Sequence, residues 1–365
     1  MWHSRRATEA LNIRYPIIQG PFGGGFSSSD LVAAVSNAGG LGSFGAHNLT
    51  GDQIRSVVAE IREKTDKPFA LNLWVSVVDE GGHGLTGPEY VAALEAFAPF
   101  YEELGISAPP PPENHIENYE EQVKALIEAR PDVFSFVFGI PSVDVLARCR
   151  TAGIKTMGAA TTVAEAKALE AAGVDIILAT GLEAGGHRPS FLKAAEESLV
   201  GTLPLVPQVR DAVSVPVVAA GGIGDARGIK AAFALGADAV QLGTAFLACA
   251  ESNATDAHRD WLFDNASDDT VLSRVFTGRL ARVKRNRFTE SAPAPLPFPL
   301  QAWFTGVMKN TAAKVGQHDL ASLYAGQGSP LLKHRSVEAL MTALLAELDP
   351  QFLKSQNPIM ETDNV

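Results

Sequence analysis

Short apolar runs recur along the chain, each broken by glycine or a polar turn and followed by residues at helical spacing. They are PIIQG at 16–20, GLGSFG at 40–45, PFALNLWV at 68–75, VFSFVFG at 133–139, IKTMGA at 154–159, DIILATG at 175–181, PVVAAGG at 216–222 and AVQLGT at 239–244. They show little alternation between apolar and polar positions, as expected of strands buried on both faces of a parallel sheet covered by helices. The intervening helices carry their own end signals. Thr162 and Glu165 have capping-box spacing with Gly173 closing the helix, and Asp225 stands before an apolar face of Ile229, Ala232 and Phe233 closed by Gly236. Tyr119, Val123, Leu126 and Ile127 form a further stripe ahead of Pro131. Strand–helix alternation with short connections crosses over right-handed, and eight such units predict an α/β fold closed as a (β/α)8 or TIM barrel. The rival is an open doubly wound sheet, which usually has fewer strands and a glycine signature after the first.

Two stretches exceed a minimal barrel. Residues 76–118 contain GGHGLTG and Pro109–Pro112, and residues 251–335 contain Pro293, Pro295, Pro297 and Pro299. Both leave the C-terminal ends of strands and are expected to form a small, mainly helical lid on the catalytic face. The expected organisation is a barrel over 1–250 with an insertion at 76–118, a helical and loop subdomain on the substrate side over 251–335, and a last segment, 336–365, whose helix at about 336–348 packs back on the barrel.

Composition narrows the class. Of 365 residues 46% are hydrophobic and 19% charged, which supplies a large core and excludes wholesale disorder. A net charge of −11 disfavours nucleic acid as a partner. Two cysteines, Cys149 and Cys249, make neither a disulfide framework nor a zinc motif. The opening MWHSRRATEALNIRYP has no apolar run behind its arginines, and the uncharged stretch 31–51 is interrupted by Ser36, Gly39, Gly40, Gly42, Gly45 and Asn48, so neither a signal peptide nor a membrane span is expected. The expectation is a soluble cytoplasmic protein.

A barrel of this kind carries its chemistry at the C-terminal strand ends, with phosphate held by the last two loops. Those loops read GGIGDARG at 221–228 and GTAFL at 243–247. Gly221, Gly222 and Gly224 allow close backbone approach, the helix beginning near Asp225 adds N–H groups, and Thr244 adds a hydroxyl. The sixth run leads into GLEAGGHRPSF, where His187 suits a general base, flanked by Glu183 and Arg188. His3, His258, His318 and His334 are expected at the surface, and His83 in a solvated loop. No metal motif and no nucleophile elbow is present, and neither cysteine sits at a strand end facing the site. Gln19, Asn72 and Gln241 are amides within apolar strands and require partners, either loop backbone or the edge of a flat heterocycle. RLARVKRNRF packs five cations into 279–287, usually a solvated or salt-bridged face.

LEAGGHR (182–188), AAGGIGDARG (219–228) and VQLGTAFLACAES (240–252), together with PIIQGPFGGG, ALNLWV, FSFVFGIP, RNRF and YAGQGS (324–329), resemble the nitronate monooxygenase family, formerly 2-nitropropane dioxygenases, over about residues 13–332. The resemblance implies an FMN-binding barrel with His187 as base. It implies oxidation of alkyl nitronates, propionate 3-nitronate among them, with dioxygen to a carbonyl compound and nitrite. It also implies FMN contacts from Asn72, Thr180, Gly185, Gly186, Gly222, Gln241, Gly243 and Thr244, with Pro21 and Phe22 against the ring and the phosphate held by Gly221, Gly222, Gly243 and Thr244. Thr180 stands where many members carry glutamine, and Pro189 replaces a common glycine and stiffens its loop. The partners implied are small molecules, a nitronate and dioxygen, and no metal.

The same family contains NAD(P)H-dependent quinone and enoyl reductases, which keeps an FMN-dependent reductase as the alternative. From the residues alone, a flavin-free isomerase or lyase using His187 and Glu183, or a non-catalytic binding barrel, also stays open. An IMP-dehydrogenase-like barrel is set aside, because the loop after the sixth run holds no cysteine.

Overall fold

The computed structural model describes residues 5–110, 117–264 and 269–349. His3, Pro111, Pro112 and the tail 350–365 lie outside these residues. The strands are β1 (Ile17–Gln19), β2 (Gly42–Gly45), β3 (Phe69–Trp74), β4 (Val133–Val137), β5 (Lys155–Ala160), β6 (Ile176–Thr180), β7 (Gly186–His187), β8 (Val217–Ala220), β9 (Ala239–Leu242), β10 (Thr270–Ser273) and β11 (Ala281–Lys284).

Each of the eight apolar runs supplies one strand of a parallel sheet ordered β1-β9-β8-β6-β5-β4-β3-β2. The sheet curls until its ends meet: the Gln19 N–H donates to Leu41 O at 2.9 Å and the Leu41 N–H to Ile17 O at 3.0 Å. The result is a (β/α)8 barrel. Successive residues of a strand point to opposite faces. In β6, Ile176 and Leu178 join the cluster inside the barrel, while Ile177 and Ala179 join the one beneath the helices. Both faces are apolar, which is why the sequence shows no alternation. Ala7, Leu11 and Ile13, on and just after the helix Arg6–Leu11, belong to the same interior cluster as Ile18, Met157 and Val218.

The helix ends follow local chemistry. Asp225 accepts the N–H groups of Arg227 at 2.9 Å and Gly228 at 3.3 Å and so begins the helix Ala226–Ala234. Thr162 Oγ1 accepts the Glu165 N–H at 3.2 Å, but the reciprocal half of the expected box is absent. Glu165 is fully buried and instead accepts from the Thr161 N–H and hydroxyl, both at 2.7 Å, and from the N–H groups of Phe191 at 2.6 Å and Leu192 at 3.2 Å. A buried carboxylate needs several donors, and here they tie the segment after His187 to the barrel. The helix Val337–Leu348 packs on the helices Ser29–Asn37 and Ala226–Ala234.

The stretches beyond the barrel build a cap. Phe97 and Phe100 on the helix Gly87–Glu103 pack with Phe276, Phe288, Phe304 and Met308 in a separate core. The Tyr101 hydroxyl donates to Phe304 O. Sequence spacing suggested helices and loops here, yet β10, β11 and β7 form a three-stranded sheet in which His187 lies opposite Ala281 and Gly186 opposite Arg282. The histidine segment is thus a strand shared between barrel loop and cap. Among the described residues, no helix is long and apolar enough to cross a membrane.

Candidate active site

A cavity of about 530 Å³ opens over the C-terminal ends of the barrel strands, beneath the cap. Pro21, Phe22, Asn72, Thr180, Gly185, Gly186, His187, Gly221, Gly222, Gln241, Gly243 and Thr244 all line it. The strand register accounts for part of this convergence. Asn72 stands opposite Ser135 and donates to its hydroxyl at 3.0 Å, Thr180 stands opposite Ala220, and Ala220 opposite Gln241.

The segment 181–188 shows how sequence makes the site. Glu183 accepts from the Thr202 N–H at 2.9 and 3.0 Å and from its hydroxyl at 2.8 Å. Arg188 is buried, and its guanidinium donates to the carbonyls of Thr180 at 3.1 Å, Gly181 at 2.6 Å and Ser198 at 2.9 Å. Burial lowers its pKa to about 10, so it remains charged. Gly185 packs so closely on the Ala325–Gly326 backbone that a Cβ would fall 2.5 Å from it. Glu183 and Arg188 are therefore structural, and of these three side chains only His187 lines the cavity. Glu183 has no free role as a catalytic acid.

His187 Nε2 lies 2.9 Å from Thr277 Oγ1. Burial holds the imidazole well below its ordinary pKa of 6.5, and His47, Arg279 and Lys309 add to the effect. It is neutral at neutral pH and able to accept a proton. Around it stand Trp74, with ring centres 4.9 Å apart, Tyr324 at 5.9 Å and Phe138 at 6.3 Å. Phe138 has a φ of +62°, a left-handed conformation costly for a bulky side chain and often found at functional sites.

Several lining residues escaped the sequence reading. His47 stacks on Trp74 with centroids 4.0 Å apart and planes at 5°, its Nδ1 has no partner among the described residues, and burial lowers its pKa to about 4. It follows the second strand on the same rim, so the strand-end logic applied to His187 would have found it. Lys309 lies on the helix Leu300–Lys314 and, among the described residues, hydrogen-bonds only Phe276 O, at 3.5 Å. Burial lowers its pKa to about 8, which leaves it mostly protonated at pH 7. Among the described residues, no Asp or Glu lines the cavity. In a chain of net charge −11, the one Lys, Arg, Asp or Glu among the described lining residues is a lysine, Lys309.

Two features mark a ligand. Gln241 Oε1 is buried with no partner among the described residues, an arrangement that is costly unless a donor arrives. The N–H groups of Gly222, Ile223, Gly224 and Thr244 carry no hydrogen bond among the described residues. Gly221 and Gly222 adopt φ of +116° and +69°, conformations that glycine tolerates without the Cβ penalty, and a Cβ on Gly243 would meet nothing within 4 Å.

Other expectations are corrected. The helix Ala226–Ala234 does not offer the N–H groups of Arg227 and Gly228 to an anion, because Asp225 accepts them. Gln19 does not line the cavity; its Oε1 accepts the Ser43 N–H at 2.8 Å and its amide donates to Gly20 O, so it serves loop backbone. His258 is fully buried rather than at the surface, donating from Nε2 to Tyr324 O at 2.9 Å, with its pKa lowered to about 4 by burial. His318 and His334 are half-buried, and His83 is exposed. The basic run is divided: Arg279 is buried, paired with Asp79 at 2.6 Å beneath the rings of Phe138 and Phe298, and Arg282 is buried and donates to Leu182 O at 2.9 Å, while Arg285 and Arg287 are exposed, Arg287 in an ion pair with Glu103. Cys149 and Cys249 are buried with raised pKa values, that of Cys149 at about 11.

Known proteins resemble this chain in sequence and fold. The nitronate monooxygenase family model matches residues 4–347. A probable nitronate monooxygenase of Staphylococcus aureus (strain Newman) is 36% identical over 354 residues, covering 96% of this chain and 98% of that protein. The crystal structure of nitroalkane oxidase from Streptomyces ansochromogenes superposes with a TM-score of 0.85 at 36% identity, covering 96% of this chain and 99% of the other. FabK from Thermotoga maritima gives 0.73 at 30% identity, covering 97% and 99%. With a family match along nearly its whole length and relatives 36% identical over 96% of it, the chain belongs to the nitronate monooxygenase family, a family of oxidoreductases.

Proposed function

We propose that the chain is an FMN-dependent nitronate monooxygenase that converts alkyl nitronates, propionate 3-nitronate among them, and dioxygen into a carbonyl compound and nitrite. The observation that carries this reading is the placement of His187 at a cavity that Lys309 also lines and that, among the described residues, no Asp or Glu lines. Such a cavity favours an anion, and its imidazole can make one from a neutral nitroalkane.

The residues fit FMN. The unused N–H groups around Gly222–Gly224 and Thr244 suit a phosphate, and the unpartnered Gln241 Oε1 suits a ring N–H. Gly221, Gly222, Gly243 and Thr244 would hold the phosphate, while Asn72, Thr180, Gly185, Gly186 and Gln241 would hold the ring, with Pro21 and Phe22 beside it. When bound, FMN supplies the electron transfer and the reaction with dioxygen. The chain's own task is narrower. His187 takes the α-proton of a neutral nitroalkane. The charge of Lys309 favours the resulting anion. Trp74, Phe138 and Tyr324 shape the apolar wall beside the imidazole. The two free, buried cysteines agree with a cytoplasmic setting.

His187→Gln tests the reading. Nitrite release from neutral nitroalkanes falls by about 10²–10⁴, with more activity kept on preformed nitronates. Unchanged turnover on neutral nitroalkanes would remove His187 from the chemistry. The likeness to FabK sustains the second reading, an FMN-dependent NAD(P)H reductase acting on quinones or enoyl thioesters. Anaerobic bleaching of the flavin by NADH, with no nitrite from nitronate in air, would select it.

A further inference from the structure

We infer that Thr277 is a positioning residue that fixes the tautomer of His187, so that Nδ1 is the atom that accepts the substrate proton. The inference rests on the proposed role of His187 and says which nitrogen acts and what holds it. Thr277 is buried in the turn between β10 and β11, in the cap, while His187 arrives from the barrel loop. Its Oγ1 has three neighbours: the Arg279 N–H at 3.3 Å, Arg279 O at 3.2 Å and His187 Nε2 at 2.9 Å.

A hydroxyl has one proton to donate and two lone pairs. If Thr277 donates to Arg279 O, its lone pairs accept the Arg279 N–H and an Nε2–H from His187, and every group in the cluster is paired. If it donates to Nε2 instead, Arg279 O loses its donor, and no other described group replaces it. The His187 proton would then sit on Nδ1, which has no acceptor among the described residues. Arg279 is itself buried, and leaving a buried carbonyl unpaired is unfavourable. The first arrangement therefore prevails, and the Nδ1 lone pair is left for the substrate.

The cap holds this cluster firmly. Arg279 Nη2 lies 2.6 Å from Asp79 Oδ1, and its guanidinium lies 4.0 Å from the centre of the Phe138 ring, 4.1 Å from that of Phe298 and 5.3 Å from that of Trp74. A clamped Arg279 backbone fixes Thr277, and Thr277 fixes the imidazole. In the proposed reaction the C–H bond breaks, its electron pair stays on the substrate as the nitronate, and its proton goes to Nδ1. The imidazolium keeps its Nε2–H on the Thr277 hydroxyl. A neutral hydroxyl behind the base, in place of a carboxylate, leaves the imidazole uncharged before reaction.

The experiment is ¹⁵N NMR of histidine-labelled holoenzyme, with the His187 signals assigned by their loss in His187→Gln. The expected result is a protonated Nε2 and an unprotonated Nδ1; a protonated Nδ1 overturns the inference. This readout needs no turnover, so it stands even if the wild type releases no nitrite, an outcome that would defeat the functional reading alone. Kinetics then separate positioning from mere structure. Thr277→Val is expected to lower kcat on a neutral nitroalkane about tenfold to a hundredfold and to leave preformed nitronate within about threefold, while Thr277→Ser restores both the rate and the tautomer. Equal losses on the two substrates, or no loss on either, would also overturn it.

Discussion

The barrel and its cap are built by different rules. The barrel is assembled mostly from neighbours in sequence: each strand pairs with the next or next-but-one, except where β9 returns to β1 to close the ring, and its interior is filled by small and aliphatic side chains such as Ala70, Ala159, Leu178 and Val218. The cap is assembled from strangers. Phe97 meets Phe304 at 5.2 Å, Phe100 meets Phe288 at 5.1 Å, and Glu103 meets Arg287 at 2.5 Å, each pair drawn from the two separate insertions. The difference teaches where the proposed chemistry sits. His187 lies on the seam, its backbone leaving a barrel strand and pairing with β11 of the cap. The barrel brings the imidazole, and the cap brings Thr277, Lys309 and Tyr324 around it.

The largest expected effect tests whether these regions unfold as one. Phe134→Ala in the barrel and Phe304→Ala in the cap each remove a fully buried ring, and each costs about 3–5 kcal/mol. Because β7 and β11 join the regions, calorimetry is expected to show a single transition at lower temperature for both variants. A separate early transition in Phe304→Ala would make the cap its own folding unit.

The next effect compares histidines in the two settings. Burial holds His47 on the barrel rim and His258 beneath Tyr324 near a pKa of 4, and His187 is also held below the ordinary 6.5. The unfolded chain therefore binds protons that the folded chain refuses. These groups leave stability unchanged well above pH 6.5, and stability falls as pH drops from there toward 4, by up to about 1.4 kcal/mol per pH unit for each histidine. Urea titrations between pH 7 and pH 5 measure the slope, and a flat profile would mean that these imidazoles are not held neutral.

The smallest effect concerns the clamp. Asp79→Asn leaves the buried Arg279 without its carboxylate. Asp79 keeps about a third of its side chain in solvent, so the loss is expected near 2 kcal/mol, below that of a fully buried pair. Thermal unfolding reads this loss, and no change would show that the aromatic rings alone suffice to hold the guanidinium.

The same contrast explains what could be read from the chain. Runs such as DIILATG and PVVAAGG announce barrel strands because a strand buried on both faces has a local signature. The GGHR segment appeared only as a loop, since the strand Gly186–His187 is two residues long and its partner lies nearly a hundred positions later. Glu183 and Arg188 looked chemical beside the histidine, yet their partners, Thr202 and the carbonyls of Thr180, Gly181 and Ser198, make them structural. Lys309 was invisible because a single cation in an amphipathic helix is ordinary until the fold shows that no carboxylate faces it. Asp225 carried a correct helix start, and its side chain takes the N–H groups of Arg227 and Gly228 that the helix end was expected to lend to an anion.

The lining without acidic side chains has a consequence for the rhythm of turnover. A chamber that draws in a negatively charged guest retains a negatively charged remnant as well. Under the proposed chemistry nitrite departs against the same attraction that admitted its parent, so small inorganic anions in the medium are expected to compete for the vestibule.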